Sequence, residues 1–474
     1  MDVHGVVEEF LASPVDRATL GLVYGRRRIG KSTMLVAAVE RHSGFYFEAT
    51  RGAGPAQLES LGRELGEHLG VGTLAFADWS AAVDALLRLG EHGPTPVVLD
   101  EFGHILEADP TVDSVLAKAL GPGAHRSGAS RARLLLCGSA IALMRALTGG
   151  EAPLRGRASL ELVMHPDDFR RAAARLPSDD LVVACHTYAV IGGVVGYATD
   201  MVGFDLPRSR RDFDRWVARR VLSPAATLHH EAVTLLAEDP TVSGPGAALH
   251  HGILSAIANG SVTAGEISKK VGRPVSNLAP ALNRLVEAGF VVRHDDPIRA
   301  QRPLYALGDP FLQFHYAVLA ANSSLLRDRD PAHTWKDRLV HTFNSQVRGP
   351  VFEEQARTWV RRFSSESTFR ARDHVGPSSV VVEGKAHELD MVVAGTGDTQ
   401  SEREIHAIGE AKAGETIRTS HLRRLHAARV ALGSRAANAK LVLFGTHFEG
   451  ALQKESADRA DVELVDLDRL YRGD

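Results

Sequence analysis

A chain of 474 residues with 44% hydrophobic and 24% charged residues has the composition of a soluble globular protein, not of a fibre or a disordered segment. At ordinary domain sizes that length allows about three units. The formal net charge of −3 supplies no global field to attract nucleic acid, so any such contact must come from local patches. The two cysteines, Cys137 and Cys185, exclude a disulfide framework and a cysteine-rich zinc site and fit a reducing cytoplasm.

The acidic start (Asp2, Glu8, Glu9, Asp16) does not read as a signal peptide. The longest apolar stretch, Leu181 to Met201, carries His186, Thr187, Asp200 and several glycines. It reads as a buried helix pair and not as a membrane span.

In chain order, the apolar run Leu20 to Tyr24 predicts a buried parallel strand. Gly25-Arg26-Arg27-Arg28-Ile29-Gly30-Lys31-Ser32-Thr33 follows, and an apolar helix continues from Met34 to Val39. This is the G-x-x-x-x-G-K-[ST] phosphate loop in its strand–turn–helix context. Gly25 and Gly30 permit the tight turn that points main-chain amides into one hollow at a helix N-terminus, where the dipole favours an anion. Lys31 is then expected to reach the β and γ phosphates of ATP and Ser32 to ligate Mg²⁺, with Thr33 supporting the helix start. Arg26, Arg27 and Arg28 occupy variable positions of the pattern and read as solvated loop charges.

A second strand is predicted at Phe45 to Ala49, followed by helices over Ala56–Leu69 and Trp79–Leu89. The alternation of strand and helix predicts a parallel sheet with crossover helices. The third strand, Pro96 to Glu101, ends in adjacent carboxylates. Asp100 is expected to complete the Mg²⁺ shell and Glu101 to act as general base on the attacking water. A fourth strand over Arg133 to Ser139 puts Ser139 at its carboxyl end, either as a γ-phosphate sensor or as a helix N-cap. Before a fifth strand, Leu160 to Met164, the loop 152–157 offers Arg157, and less well Arg155, to neutralise charge on the γ-phosphate.

These pieces resemble the archaeal-type ATPases of the AAA+/STAND class: the phosphate loop, Leu99-Asp100-Glu101-Phe102, Cys137-Gly138-Ser139, and Pro153-Leu154-Arg155-Gly156-Arg157. The loop departs from the usual pattern at Ala152 and Arg155, and Gly192-Gly193-Val194-Val195 lacks a proline the group often carries. The resemblance implies an α/β, ASCE-type P-loop ATPase core over residues 1–165 and a helical lid over 166–243. ATP and Mg²⁺ would be its cofactors, and Arg157 could act within its own chain or on a neighbouring copy in a homo-oligomer.

Residues 208 to 220 read as a basic amphipathic helix, mostly a solvated face. The turn-rich segment 239–246 reads as a boundary. A winged-helix module is predicted over 244–310. Its helices are His250–Ala258, one opened by a Thr263/Glu266 capping box, and Pro274–Ala288; the wing is formed by 289–293 and 305–307. Ser276, Asn277 and Arg284 would face DNA from the third helix, with Arg299 and Arg302 in the wing; packing against the nucleotide domain is the other reading. Asp309-Pro310-Phe311-Leu312-Gln313-Phe314 resembles a linking segment of the same ATPases, and 311–339 reads as a linker. The pairs His229-His230 and His250-His251 read as surface or capping residues, since neighbours on a helix do not share a face.

The C-terminal region, 340–474, carries a second chemical pattern. A helix begins at 351–355. The strand His387 to Val393 contains Asp390, and the strand Ile405 to Lys412 places Glu410 and Lys412 on one face. Carboxylates from adjacent strands suit Mg²⁺-dependent phosphodiester hydrolysis, with Glu353 a further ligand from the helix and Lys412 polarising the nucleophile. With the helix at 421–433 and the strand Lys440–Phe444, the region resembles the PD-(D/E)XK, restriction-endonuclease-like superfamily. The sequence thus predicts an ATP-hydrolysing protein that acts on DNA through its winged helix and C-terminal domain. The alternatives are a nucleotide-switched STAND-type regulator without cleavage and a transcription-related protein.

Overall fold

The computed structural model describes residues 2–474 except 122, 125–127, 240, 241, 245, 301, 370 and 398. The expected boundary at 239–246 therefore lies partly outside the described residues. The chain divides into two compact units, one ending at Pro166 and the other built from 167–238 and 242–474.

The first unit is built on β1 (Thr19–Tyr24), β2 (Phe45–Glu48), β3 (Thr95–Asp100), β4 (Ala132–Gly138) and β5 (Ala158–Val163). All neighbours are parallel, in the order β2-β3-β4-β1-β5. Continuous apolar strands such as Leu134-Leu135-Leu136 are required because helices cover both faces of such a sheet; these residues are at most 2% exposed. The helices Lys31–Arg41, Gly54–Leu69 and Trp79–Arg88 supply the crossovers expected from the sequence. The sheet brings the carboxyl ends of β1, β3 and β4 to one edge, where ligands bind in doubly wound folds.

Arg133 is completely buried in β4 and donates to the carbonyls of Ser13 (2.7 Å), Val15 (2.9 Å) and Arg17 (2.9 Å). It closes the turn into β1. An Arg133→Ala change leaves these carbonyls without that donor and opens a cavity, and should cost about 3 kcal/mol or more. Urea unfolding of the full chain would show this as a lowered midpoint at unchanged slope.

In the second unit, residues expected to form a lid pack with the C-terminal region. Phe169 meets Tyr471 edge-on at 4.9 Å and Phe363 at 5.7 Å, and Arg170 donates to the Leu470 carbonyl. The basic segment holds the helix Arg210–Val217, with Phe213, Trp216 and Val217 buried; Arg210 pairs with Asp180 at 2.8 Å and, just past the helix, Arg219 pairs with Asp205 at 2.8 Å. Its charges form a solvated face on which several arginines are paired.

The segment expected as a linker, 311–339, is instead helical and central. Phe311, Phe314, Val318 and Trp335 are at most 2% exposed, and Phe314, Trp335, Phe343 and Phe213 stack into one aromatic cluster. His250 is likewise buried, not superficial, with Nδ1 3.0 Å from the Val242 carbonyl. Among the described residues no helix is long and apolar enough to cross a membrane.

Helices Ala247–Ala258, Ala264–Val271 and Val275–Glu287 precede an antiparallel hairpin of β6 (Val291–His294) and β7 (Leu304–Leu307). The Thr263/Glu266 capping box forms as expected. The C-terminal sheet runs β12-β11-β10-β9-β8, from β8 (His374–Val382), β9 (Lys385–Ala394), β10 (Ile405–Ile417), β11 (Lys440–Phe448) and β12 (Val462–Val465). β8, β9 and β10 pair antiparallel, and β10, β11 and β12 parallel.

Burial holds the imidazoles of His294 and His315 at about 4, below their usual range. Glu354 at 3.5 Å opposes the shift at His294, which Arg357 and Arg361 reinforce, and His251 and His229 reinforce it at His315. A base depressed in the folded state binds fewer protons than when unfolded. Its stabilisation is present above about 6.5 and lost as pH falls toward 4, by about 3 kcal/mol per histidine. Glu353, raised to about 8 by burial and Asp390, acts in the opposite sense between about 4.5 and 8. The two histidines outweigh it, so the melting temperature should drop between pH 6.5 and 4, and less in a His294→Gln variant.

Candidate functional site

The first cluster of chemical groups lies at the carboxyl edge of the parallel sheet. Gly25 has φ +157°, and a Cβ there would lie 2.3 Å from the Met164 carbonyl, so only glycine fits between β1 and the end of β5. Gly30 caps the helix Lys31–Arg41 at φ +94°, and no side chain caps its first turn. The amides of this turn face forward under a positive dipole. Lys31 is 5% exposed and its ammonium donates to the carbonyls of Gly25 and Arg26, each at 2.9 Å. Burial lowers its pKa, while Cys137, Glu101 and Asp100 favour the charged form. Arg26 is not the solvated charge expected: it is 6% exposed, because the loop folds its side chain inward.

Asp100, at the end of β3, is 1% exposed. Burial disfavours its charge, but hydrogen bonds from Cys137, Ser32, Tyr46 and the Glu101 amide prevail and hold it below the usual carboxylate range. The Glu101 amide lies 2.8 Å from Oδ1, and the Tyr46 hydroxyl 2.6 Å from Oδ2. Glu101 occupies the left-handed region at φ +48°, a strained position for a non-glycine residue of the kind that clusters at functional sites. Its Oε2 accepts from the Ser139 hydroxyl at 3.1 Å. Ser139 is thus no N-cap: the following helix, Ile141–Ala146, starts from Ala140, and Ser139 holds the glutamate.

The structure therefore brings Lys31, Ser32, Asp100, Glu101 and Ser139 together, and Thr33 follows in the same helix. It does not bring Arg157 to them. Arg157 directly precedes β5, whose first residue pairs with Leu20, at the opposite edge of the sheet from Gly25. Five residues of strand separate the two levels, ~16 Å. Two residues at the productive edge escaped the sequence: Tyr46, bonded to Asp100, and Glu48, paired in register with Asp100. Burial and the carboxylates of Asp100 and Glu101 raise the Glu48 pKa. A polar residue closing an apolar run was the only available signal.

The second cluster lies on the C-terminal sheet. Pairing of Met391 with Gly409 sets Asp390 beside Glu410. Lys412 Nζ is 3.3 Å from Asp390 Oδ2 and 3.2 Å from Glu410 Oε1, and the Ala411 amide donates to Asp390 at 2.9 Å. Burial disfavours the lysine charge, but Asp390 and Glu410 raise its pKa on balance. Glu353, on the helix Gly349–Arg362, joins through Arg357, which lies 3.9 Å from it and donates to the Asp390 carbonyl at 2.6 Å.

Two features were not foreseen. Arg424, from the helix Thr419–Ala431, grips the Glu410 carboxylate through both Nη2 and Nε. The hairpin β6–β7 docks on β8: Ser378 donates to Asp296 at 2.7 Å and Arg302 to Ser379 at 3.3 Å. Among the described residues no group of three or more His, Cys, Asp or Glu side chains is arranged to hold a metal ion. Glu353, Asp390 and Glu410 are joined by cations, and this donor set does not fit a metal as it stands.

No protein-family profile matches the chain. It is 24% identical over 316 residues to the uncharacterized protein MJECL04 of Methanocaldococcus jannaschii, a match that spans 65% of this chain and 65% of the relative, under two thirds of its length. Among solved structures, the Walker-type ATPase PABY2304 of Pyrococcus abyssi superposes with a TM-score of 0.48 at 19% identity, covering 66% of this chain and 94% of that one. The Aeropyrum pernix ORC2 protein in ADPNP–ADP complexes gives 0.40 at 15%, covering 69% and 94%. Cdc6p of Pyrobaculum aerophilum gives 0.33 at 17%, covering 69% and 92%.

Proposed function

We propose that the chain binds and hydrolyses ATP at the edge formed by β1, β3 and β4. The observation that carries this reading is the convergence of Lys31, Ser32, Asp100, Glu101 and Ser139 at the carboxyl ends of adjacent parallel strands, beside a helix start with no side-chain cap. The uncapped amides and Lys31 receive the phosphates, and the lysine exchanges its two loop carbonyls for phosphate oxygens. The hydroxyl of Ser32 and the carboxylate of Asp100 form an all-oxygen donor pair that fits Mg²⁺, which would neutralise phosphate charge when bound. Glu101, steadied by Ser139, takes the proton of the attacking water. Arg157 is kept for a neighbouring copy's nucleotide, since its own lies at the far edge. The test is titration of the full chain with a fluorescent ATP analogue. Saturable binding that Ser32→Ala weakens in the presence of Mg²⁺ supports the reading, and no binding up to millimolar analogue sinks it.

DNA is the proposed partner of the second unit. The three helices and hairpin resemble a winged helix, and Ser276, Asn277 and Arg284 are exposed along one helix with Lys269, Lys270 and Arg273 nearby. The hairpin is engaged on β8, so the helix face is the proposed contact. A PD-(D/E)XK-like reading of the C-terminal domain is supported by the mixed sheet β12-β11-β10-β9-β8 and by the proximity of Asp390, Glu410 and Lys412 on it. A second reading, a nucleotide-switched DNA-binding protein that does not cut, is favoured by Arg424, which occupies the Glu410 carboxylate. Plasmid nicking in Mg²⁺ or Mn²⁺ decides between them: cleavage that falls to background in Asp390→Asn supports the nuclease, and none by the wild type on several DNA forms supports the switch.

A further inference from the structure

Tyr46 has no place in the phosphate-loop pattern, yet its hydroxyl sits 2.6 Å from Asp100 Oδ2 and within hydrogen-bonding reach of Ser32. It bonds one of the two side chains assigned to the metal and lies beside the other. We propose that Tyr46 is a positioning residue that occupies the metal-facing side of the Asp100 carboxylate until Mg²⁺–ATP enters, and gives that place up as the ion binds. This rests on the ATP reading above.

Three observations lead there. A carboxylate that is 1% exposed must be hydrogen-bonded or paired to stay ionised. Of its other donors, the Glu101 amide is main chain and the Cys137 thiol is fully buried in β4, so neither is free to leave, and Ser32 is itself assigned to the ion and stays beside it. Tyr46 is only half-buried, and its phenol can swing aside. The register explains why a tyrosine is needed. Glu48, not Tyr46, pairs with Asp100, so the donor must reach forward two residues, ~7 Å, about the span of a phenol. A phenol is also a neutral donor, so it satisfies the carboxylate without competing as a second cation beside Lys31.

A bond made only in the metal-free state weakens apparent metal affinity by the worth of that bond. For a hydrogen bond to a charged group this is about 10- to 100-fold. The test uses the full chain saturated with a non-hydrolysable ATP analogue, and reads free Mn²⁺ by electron paramagnetic resonance. Tyr46→Phe, which keeps the ring, should bind Mn²⁺ about 10- to 100-fold more tightly than the wild type. An unchanged or weakened affinity overturns the proposal. The same change in an Asp100→Asn background should have no effect, and an equal effect there also overturns it, because the phenol would then act elsewhere. If the wild type does not bind the analogue, the ATP reading fails first. If it does and the variant merely matches it, only the role of Tyr46 falls.

Discussion

Lys31→Ala is expected to reduce ATP affinity about 100-fold and turnover about 1000-fold. The ammonium is buried in the phosphate loop and its partners are exchangeable: its two bonds run to the main-chain carbonyls of Gly25 and Arg26. Two charge-assisted bonds to phosphate are worth about 3 kcal/mol, which sets the affinity loss. The further loss in turnover follows because a donor aimed at developing charge counts for more in the transition state than in the ground state. The fold should survive, since alanine removes a desolvated charge and leaves the apolar helix face of Met34, Leu35 and Ala38 in place. Turnover by a phosphate-release assay, with melting temperature as the control for folding, measures both. Near-normal turnover in a well-folded variant would remove the central assignment.

Glu101→Gln is expected to separate binding from chemistry. Glutamine keeps the shape and can still meet the Ser139 hydroxyl, but it cannot accept a proton from water. ATP affinity should stay within about threefold, and turnover should fall by about 10² to 10⁴, the usual worth of a positioned general base. Ser139→Ala should cost less, about tenfold, because it only loosens the glutamate that Ser139 holds at 3.1 Å. Single-turnover kinetics with radiolabelled ATP distinguish the two. A Glu101→Gln variant with unchanged turnover would show that the left-handed turn at 101 merely shapes the chain.

These expectations differ in how far the sequence alone supplied them. The phosphate loop was legible because its glycines are demanded by backbone geometry: a Cβ at Gly25 would collide with Met164, and Gly30 sits at positive φ. Asp100 and Glu101 were legible only together with the phosphate loop upstream, since an apolar run that ends in two carboxylates is common by itself and mostly marks a strand entering a loop. The capping box at Thr263 and Glu266 was local, and local hydrogen bonds are written in local spacing. Tyr46 was not legible, because nothing in the chain says that β2 lies beside β3 with Glu48 level with Asp100. The same holds for the inward turn of Arg26, and for Arg424 on Glu410, which joins a helix to a strand.

Arg157 shows the limit most directly. Its loop resembled a site segment, yet the parallel pairing of β5 with β1 sets it ~16 Å from the phosphate loop. The expected linker at 311–339 failed for a related reason: its aromatic residues become a core only when Phe213 and Phe343 arrive from elsewhere in the chain.

The sequence by itself determined the elements and the chemistry at the end of each, because apolar period, glycine placement and capping act over a few residues. The tertiary structure decided which ends meet, which charges are paired and which arginine is out of reach. Those outcomes depend on strand order and register, which bring together side chains that no local spacing relates.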